Sequence, residues 1–154
     1  MIILTPHFTW AEVVRSATAT ARGINNSVPD DPVLRLHVAR TAEFLECVRA
    51  LLRVPLTITS WYRCPDLNAA VGSKDSSRHL VGLAADVVPV GLALVIAGQQ
   101  LADSALPYDQ LIMERARDGA AWLHIGLSDE VPRREVLLAT GDRGAMSYTR
   151  VLAT

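Results

Sequence analysis

The sequence predicts an α+β fold in a single domain spanning residues 1–154, with N-terminal helices packed on a small antiparallel sheet. Three observations carry this expectation. The 154 residues, 50% of them hydrophobic, suffice for one core and not for two ordinary domains. Apolar residues recur at helical spacing in the first third of the chain, and alternating, β-branched segments follow. No internal repeat, low-complexity tract or long linker separates the two regions.

Thr9-Trp10-Ala11-Glu12 is a capping box, in which Thr and Glu satisfy two unpaired backbone donors reciprocally. The helix it opens is expected to fade near Gly23, before the polar Asn25-Asn26-Ser27 loop and Pro29. Asp31 caps a longer helix with Pro32 in its first position, where a missing N–H costs nothing. Leu34, Val38, Leu45, Val48 and Leu52 form its buried stripe. From Leu56 to Ser60 the pattern alternates and reads as a strand. A short helix follows Pro65 through Leu67, Ala70 and Val71, and residues 72–78 are a small, polar loop. Ala84 to Val88 is a short buried strand and Val90 to Ala102 a helix. Leu111-Ile112-Met113 and Trp122 to Leu127 are two antiparallel strands with a turn around Asp118-Gly119. Arg134 to Ala139 is a further strand, and the residues around Tyr148 fit no single element.

Composition excludes several function classes. Fifteen basic and sixteen acidic residues leave a net charge of −1, too even for broad attraction to nucleic acid or anionic lipid. With 5% aromatic residues, stacking platforms for single strands are not expected either. Cys47 and Cys64 are too few for a disulfide framework or a four-cysteine zinc site. No stretch approaches the ~20 apolar residues that span a bilayer, so no membrane insertion is expected. The opening Met1-Ile2-Ile3-Leu4 run stops at Pro6 without a basic flank, and no secretory signal is expected from it.

Chemistry concentrates on two of the four histidines. His79 and Asp86 are seven residues apart, an odd separation that would put them on opposite faces of one strand. Both reach one point only if the chain turns, and Gly82 stands where it could. A capped loop entering a strand, with Asp86 bonded to backbone, accounts for the same residues equally well. His124 shares a strand face with Trp122 and Gly126, opposite Leu123, Ile125 and Leu127. This is how a ligand displayed on a sheet would be placed, although a satisfied structural histidine is the commoner occupant. Together His79, Asp86 and His124 offer the nitrogen and oxygen set that holds catalytic zinc with a fourth position open. Such a site needs a general base, and Glu114 closes the strand of Ile112. With the loop centred on Gly119, Glu114 lies opposite His124. A tight Asp118-Gly119 turn would set it opposite Leu123, on the wrong face, so a longer or bulged loop is expected. A solvated strand-end carboxylate is the alternative reading of Glu114.

These residues resemble the zinc D-alanyl-D-alanine carboxypeptidase family of peptidoglycan peptidases, whose metal-site fold is shared with Hedgehog signalling domains. Ser77, His79, Gly82, Ala84 and Asp86 meet the pattern Ser-x-His-x-x-Gly-x-Ala-x-Asp, and Trp122 and His124 meet the later Trp-x-His. Upstream, Ser60-Trp61-Tyr62-Arg63-Cys64-Pro65-Asp66-Leu67-Asn68 resembles the family's Ser-Gly-Tyr-Arg-Ser-Pro-x-Leu-Asn segment. The resemblance implies that His79, Asp86 and His124 bind Zn2+ and that Glu114 is the catalytic acid-base. In several relatives the acid lies three residues before the last histidine, where this chain has Ala121. It further implies that Arg63 holds a substrate carboxylate, a task suited to a two-pronged guanidinium, and that Ser77 contacts substrate or a ligand side chain. Trp61 in place of glycine and Cys64 in place of serine are departures expected to reshape the pocket beside Arg63.

The implied activity is hydrolysis of peptidoglycan stem peptides, as a D-alanyl-D-alanine carboxypeptidase or a cell-wall endopeptidase. The competing hypothesis is a non-catalytic, zinc-stabilised wall-binding or virion structural module, favoured if protein ligands enclose the metal. The resemblance also extends to phage and prophage lysis proteins. It implies a monomer made in the cytoplasm that reaches the wall through a pore made by another protein, or as part of a phage particle.

Overall fold

In the computed structural model, which describes residues 3–151, the capping-box helix is short. Met1 and Ile2 of the opening apolar run lie outside the described residues. Helix α1 (Trp10–Val14) stops before a second helix, α2 (Ala17–Arg22), begins. The single helix expected up to Gly23 is therefore two. Its continuation is interrupted because the Val13 carbonyl accepts from the Tyr62 N–H at 3.1 Å and the Val14 carbonyl from Asn26 Nδ2 at 3.0 Å. Ser16 then restarts the helix, its hydroxyl accepting from the Ala19 N–H.

Helix α3 (Pro32–Leu52) follows the sequence reading. Asp31 accepts from the Val33 N–H at 2.8 Å, and Leu34, Val38, Leu45, Val48 and Leu52 are all buried. Strand β1 (Leu56–Ser60), helix α4 (Pro65–Ala70) and strand β2 (Ala84–Pro89) also stand where expected, with a 3-10 turn (Arg78–Val81) before β2. Helix α5 is Leu94–Asp103 rather than starting at Val90, because the Val90 N–H bonds the Pro55 carbonyl as the last rung beside β1 and the chain then turns at Gly91, whose φ of 78° is left-handed and not helical.

Strands β3 (Gln110–Ala116), β4 (Ala121–Gly126), β5 (Glu135–Asp142) and β6 (Ala145–Arg150) complete one six-stranded sheet in the order β1-β2-β4-β3-β5-β6. The fold is α+β as predicted, but the sheet is mixed: β5 runs parallel to β3. Residues 127–134 carry the chain from the end of β4 across the start of β3. There Asp109 receives the Arg133 backbone and guanidinium, and its carbonyl accepts from Glu135. That anchor starts β5 level with the start of β3 and so sets their common direction. The region around Tyr148, unassigned from sequence, is β6, paired antiparallel with β5.

One sheet face carries Ala85, Val87, Leu111, Met113, Leu123 and Ile125 into the core with α3 and α5. The opposite face carries Asp86, Ile112, Glu114, Trp122 and His124, following the strand alternation. Gly82 joins the 3-10 turn to β2 with φ of 75°, and a Cβ there would meet Val38 Cγ2 at 2.9 Å and Leu34 Cδ1 at 3.2 Å. Left-handed strain and overpacking against α3 therefore act together. Gly82→Ala is expected to cost about 2–4 kcal/mol of stability, read by urea unfolding.

Candidate metal centre

The 3-10 turn brings His79 over the polar sheet face, and three contacts fix the turn. Thr41 Oγ1 donates to the Gly82 carbonyl at 2.9 Å, the Trp61 indole N–H donates to the same oxygen at 3.3 Å, and His37 Nδ1 donates to the Val81 carbonyl at 2.9 Å. His79 is buried, and its Nδ1–H donates to the Trp61 carbonyl at 2.5 Å. A carbonyl only accepts, so the neutral ring must present its Nε2 lone pair to the sheet. Asp86 and His124 stand opposite each other on β2 and β4. His79 Nε2 lies 3.2 Å from Asp86 Oδ1 and 3.2 Å from His124 Nδ1, and His124 Nδ1 lies 2.9 Å from Asp86 Oδ1. The turn at Gly82 thus resolves the odd separation of His79 and Asp86 as expected.

The donor set fits a divalent cation on its own chemistry. Burial, with a further push from the Arg63 charge, outweighs the pull of Asp86 and holds His79 down at about 4, so the ring is neutral near pH 7. Asp86 is held well below the usual carboxylate range by His79, His124 and Arg63, against the opposing cost of its burial. The centre is thus one carboxylate and two imidazoles facing inward, with one ring proton at most, on His124, to satisfy them. A cation satisfies all three, and the set matches two nitrogens and one oxygen with a position left open. They lie at the floor of a cleft of about 1820 Å³ rather than enclosed by further ligands.

Glu114 occupies the next row of the same face. The β3–β4 turn is residues 117–119, which pairs Ile112 with His124 and Glu114 with Trp122. The expected opposition of Glu114 and His124 is therefore corrected by two residues, because the turn is centred on Asp118 rather than on Gly119. The face is kept, and Glu114 is a diagonal neighbour of His124, about 7–8 Å across the ladder. Burial, then the Asp86 charge, push Glu114 up to about 7 despite His124, Arg63 and Trp122. Such a carboxylate exchanges protons near neutral pH. Its ionisation in the folded chain lags that in the unfolded chain, so stability from this group is complete in acid and lost as pH rises through 7. Metal-free Glu114→Gln is expected to exceed the parent in stability by about 2–3 kcal/mol at pH 8, with the gap closing at pH 4, by denaturant titration at both.

Arg63 is committed within the centre. Its Nη2 donates to Asp86 Oδ2 at 2.6 Å and its Nε to Ser60 Oγ at 2.9 Å, so it steadies the ligand carboxylate from behind. Ser77 stands at the head of the 3-10 turn and lines the cleft. Trp61 and Cys64 are not among the residues lining it. Trp61 is fully buried, edge-on to Phe8 at 6.3 Å, and Cys64 precedes α4 with its N–H on Asn26 Oδ1 at 2.8 Å. The sequence reading missed the Trp61 carbonyl and Asn26, whose amide also donates to the Tyr62 carbonyl at 3.0 Å. The only signal for Asn26 was its place in a polar loop, and a backbone carbonyl leaves none.

No curated protein matches the chain. Residues 6–125, which include His79, Asp86, Glu114 and His124, match the family described as Peptidase M15. With that match over most of the chain, and a His-Asp-His group at the floor of a cleft, the protein belongs to the peptidase M15 family.

Proposed function

We propose that the protein is a zinc peptidase that hydrolyses peptide bonds in peptidoglycan stem peptides, as a D-alanyl-D-alanine carboxypeptidase or a cell-wall endopeptidase. The observation that carries this is the juxtaposition of an open two-imidazole, one-carboxylate centre with a buried glutamate poised near 7 on the same sheet face. Zinc held there supplies a Lewis acid for water and for the substrate carbonyl. Glu114 takes a proton from the attacking water as the oxygen–carbon bond forms, then delivers it to the departing amine as the carbon–nitrogen bond breaks. His79 keeps its Nε2 inward through the Trp61 carbonyl, and Arg63 holds Asp86 in register. Once its Nε and one Nη2 proton are spent, Arg63 retains donors for a substrate carboxylate, and Ser77 adds a hydroxyl at the cleft wall.

The openness of the centre speaks for catalysis rather than for a purely stabilising metal. The substrate is a peptide of the wall, with no role for nucleic acid, and no helix among the described residues is long and apolar enough to cross a membrane. We further propose that the chain acts as a monomer, reaching the wall after release through a pore or as part of a phage particle. Mass spectrometry of purified peptidoglycan after digestion, with and without a chelator, tests the reading. Chelator-sensitive loss of D-alanine or opening of stem peptides is expected. Unaltered peptides would contradict it.

A further inference from the structure

Cross-strand register places a residue outside the family match in the same row of the sheet as Glu114. Trp122, Glu114, Ala139 and Tyr148 form one row across β4, β3, β5 and β6, all on the face that carries Asp86 and His124. Ala139, between Glu114 and Tyr148, is small and buried, so nothing bulky separates the phenol from the glutamate. Tyr148 lines the same cleft as Glu114 and the three donors, and among the described residues its hydroxyl makes no hydrogen bond.

The β5–β6 hairpin, whose residues 143–146 line the same cleft, is also held in place. Arg143 Nε donates to Asp118 Oδ2 at 2.8 Å, and its guanidinium sits 5.3 Å from the centre of the Trp122 ring. At the tip, Gly144 reaches the loop after α4 so closely that a Cβ on Gly72 would lie 3.2 Å from the Gly144 Cα. A Cβ on Gly144 would lie 3.1 Å from the Val71 carbonyl oxygen. The approach is tight enough that a side chain at either glycine would press on the facing backbone, and it joins the hairpin to the loop between α4 and the 3-10 turn that carries His79.

We propose that Tyr148 is a further catalytic residue, its hydroxyl donating a hydrogen bond to the substrate oxygen that gains negative charge beside Glu114. Partial burial, then the charges of Glu114 and Asp86, raise the phenol above its usual range, so it remains a donor throughout neutral pH. Preorganised donors aimed at developing charge contribute strongly in such sites. The assignment rests on the hydrolytic reading above, yet its test need not.

Inorganic phosphate, a tetrahedral oxyanion, is titrated calorimetrically into the zinc-loaded protein, its Tyr148→Phe variant and a Ser147→Ala control from the opposite strand face. Phosphate affinity is expected to fall about tenfold or more in Tyr148→Phe and to stay unchanged in Ser147→Ala. Equal affinity in the parent and Tyr148→Phe, or no phosphate binding by the parent, overturns the assignment. Wall hydrolysis is measured alongside, where Tyr148→Phe should lower kcat with KM unchanged. A parent that cleaves no peptidoglycan refutes the proposed substrate, while the phosphate result still decides the role of Tyr148.

Discussion

Glu114→Gln should lower peptidoglycan hydrolysis about 10³-fold while leaving zinc content near one per chain. The glutamate stands one ladder step from His124 and contributes no donor to the His-Asp-His group, so its amide leaves that group intact. What is lost is the group that moves the proton, and general acid–base contributions reach about 10²–10⁴-fold. The measurement pairs product release with metal analysis on the same sample. Undiminished hydrolysis would remove Glu114 from the mechanism. Loss of both zinc and activity would make it a structural partner of the centre instead.

His79→Ala should abolish stoichiometric zinc binding and weaken the fold as well. The substitution removes one of three donors and leaves the buried Trp61 carbonyl without its N–H. An unpaired buried acceptor with a void beside it costs about 2–4 kcal/mol. Zinc at 100 times its dissociation constant should stabilise the parent by about 3 kcal/mol and the variant not at all, as thermal melts would show. A variant that melts higher with zinc, to the same extent as the parent, would mean that the cation binds elsewhere.

The parts of this molecule that declared themselves in sequence are those set by local chemistry. Asp31 with Pro32, the α3 stripe and the alternation of Leu56–Ser60 each follow from residues within a turn or two of one another. The His79–Gly82–Asp86 spacing was half legible: the odd separation showed that convergence needs a turn at the glycine, while a capped loop fitted the same residues until the resemblance was added. What escaped depended on distant partners. The break between α1 and α2 comes from Tyr62 and Asn26 taking two helix carbonyls, and the parallel direction of β5 comes from Asp109 holding Arg133 and Glu135. The register of Glu114 turned on where the β3–β4 turn is centred, since moving that centre from Gly119 to Asp118 changes its partner by two residues. Arg63 was read as a substrate anchor, and its grip on Asp86 became visible only with β1 and β2 paired.

Zinc-edge X-ray absorption on the stoichiometrically loaded protein tests the centre most directly. Two imidazole nitrogens and one carboxylate oxygen at about 2.0–2.2 Å, with a further light-atom ligand that fluoride or phosphate displaces, is the expected shell. A shell closed by four protein ligands and indifferent to added anions, or one that is unchanged in His124→Ala, would contradict a catalytic His79-Asp86-His124 centre.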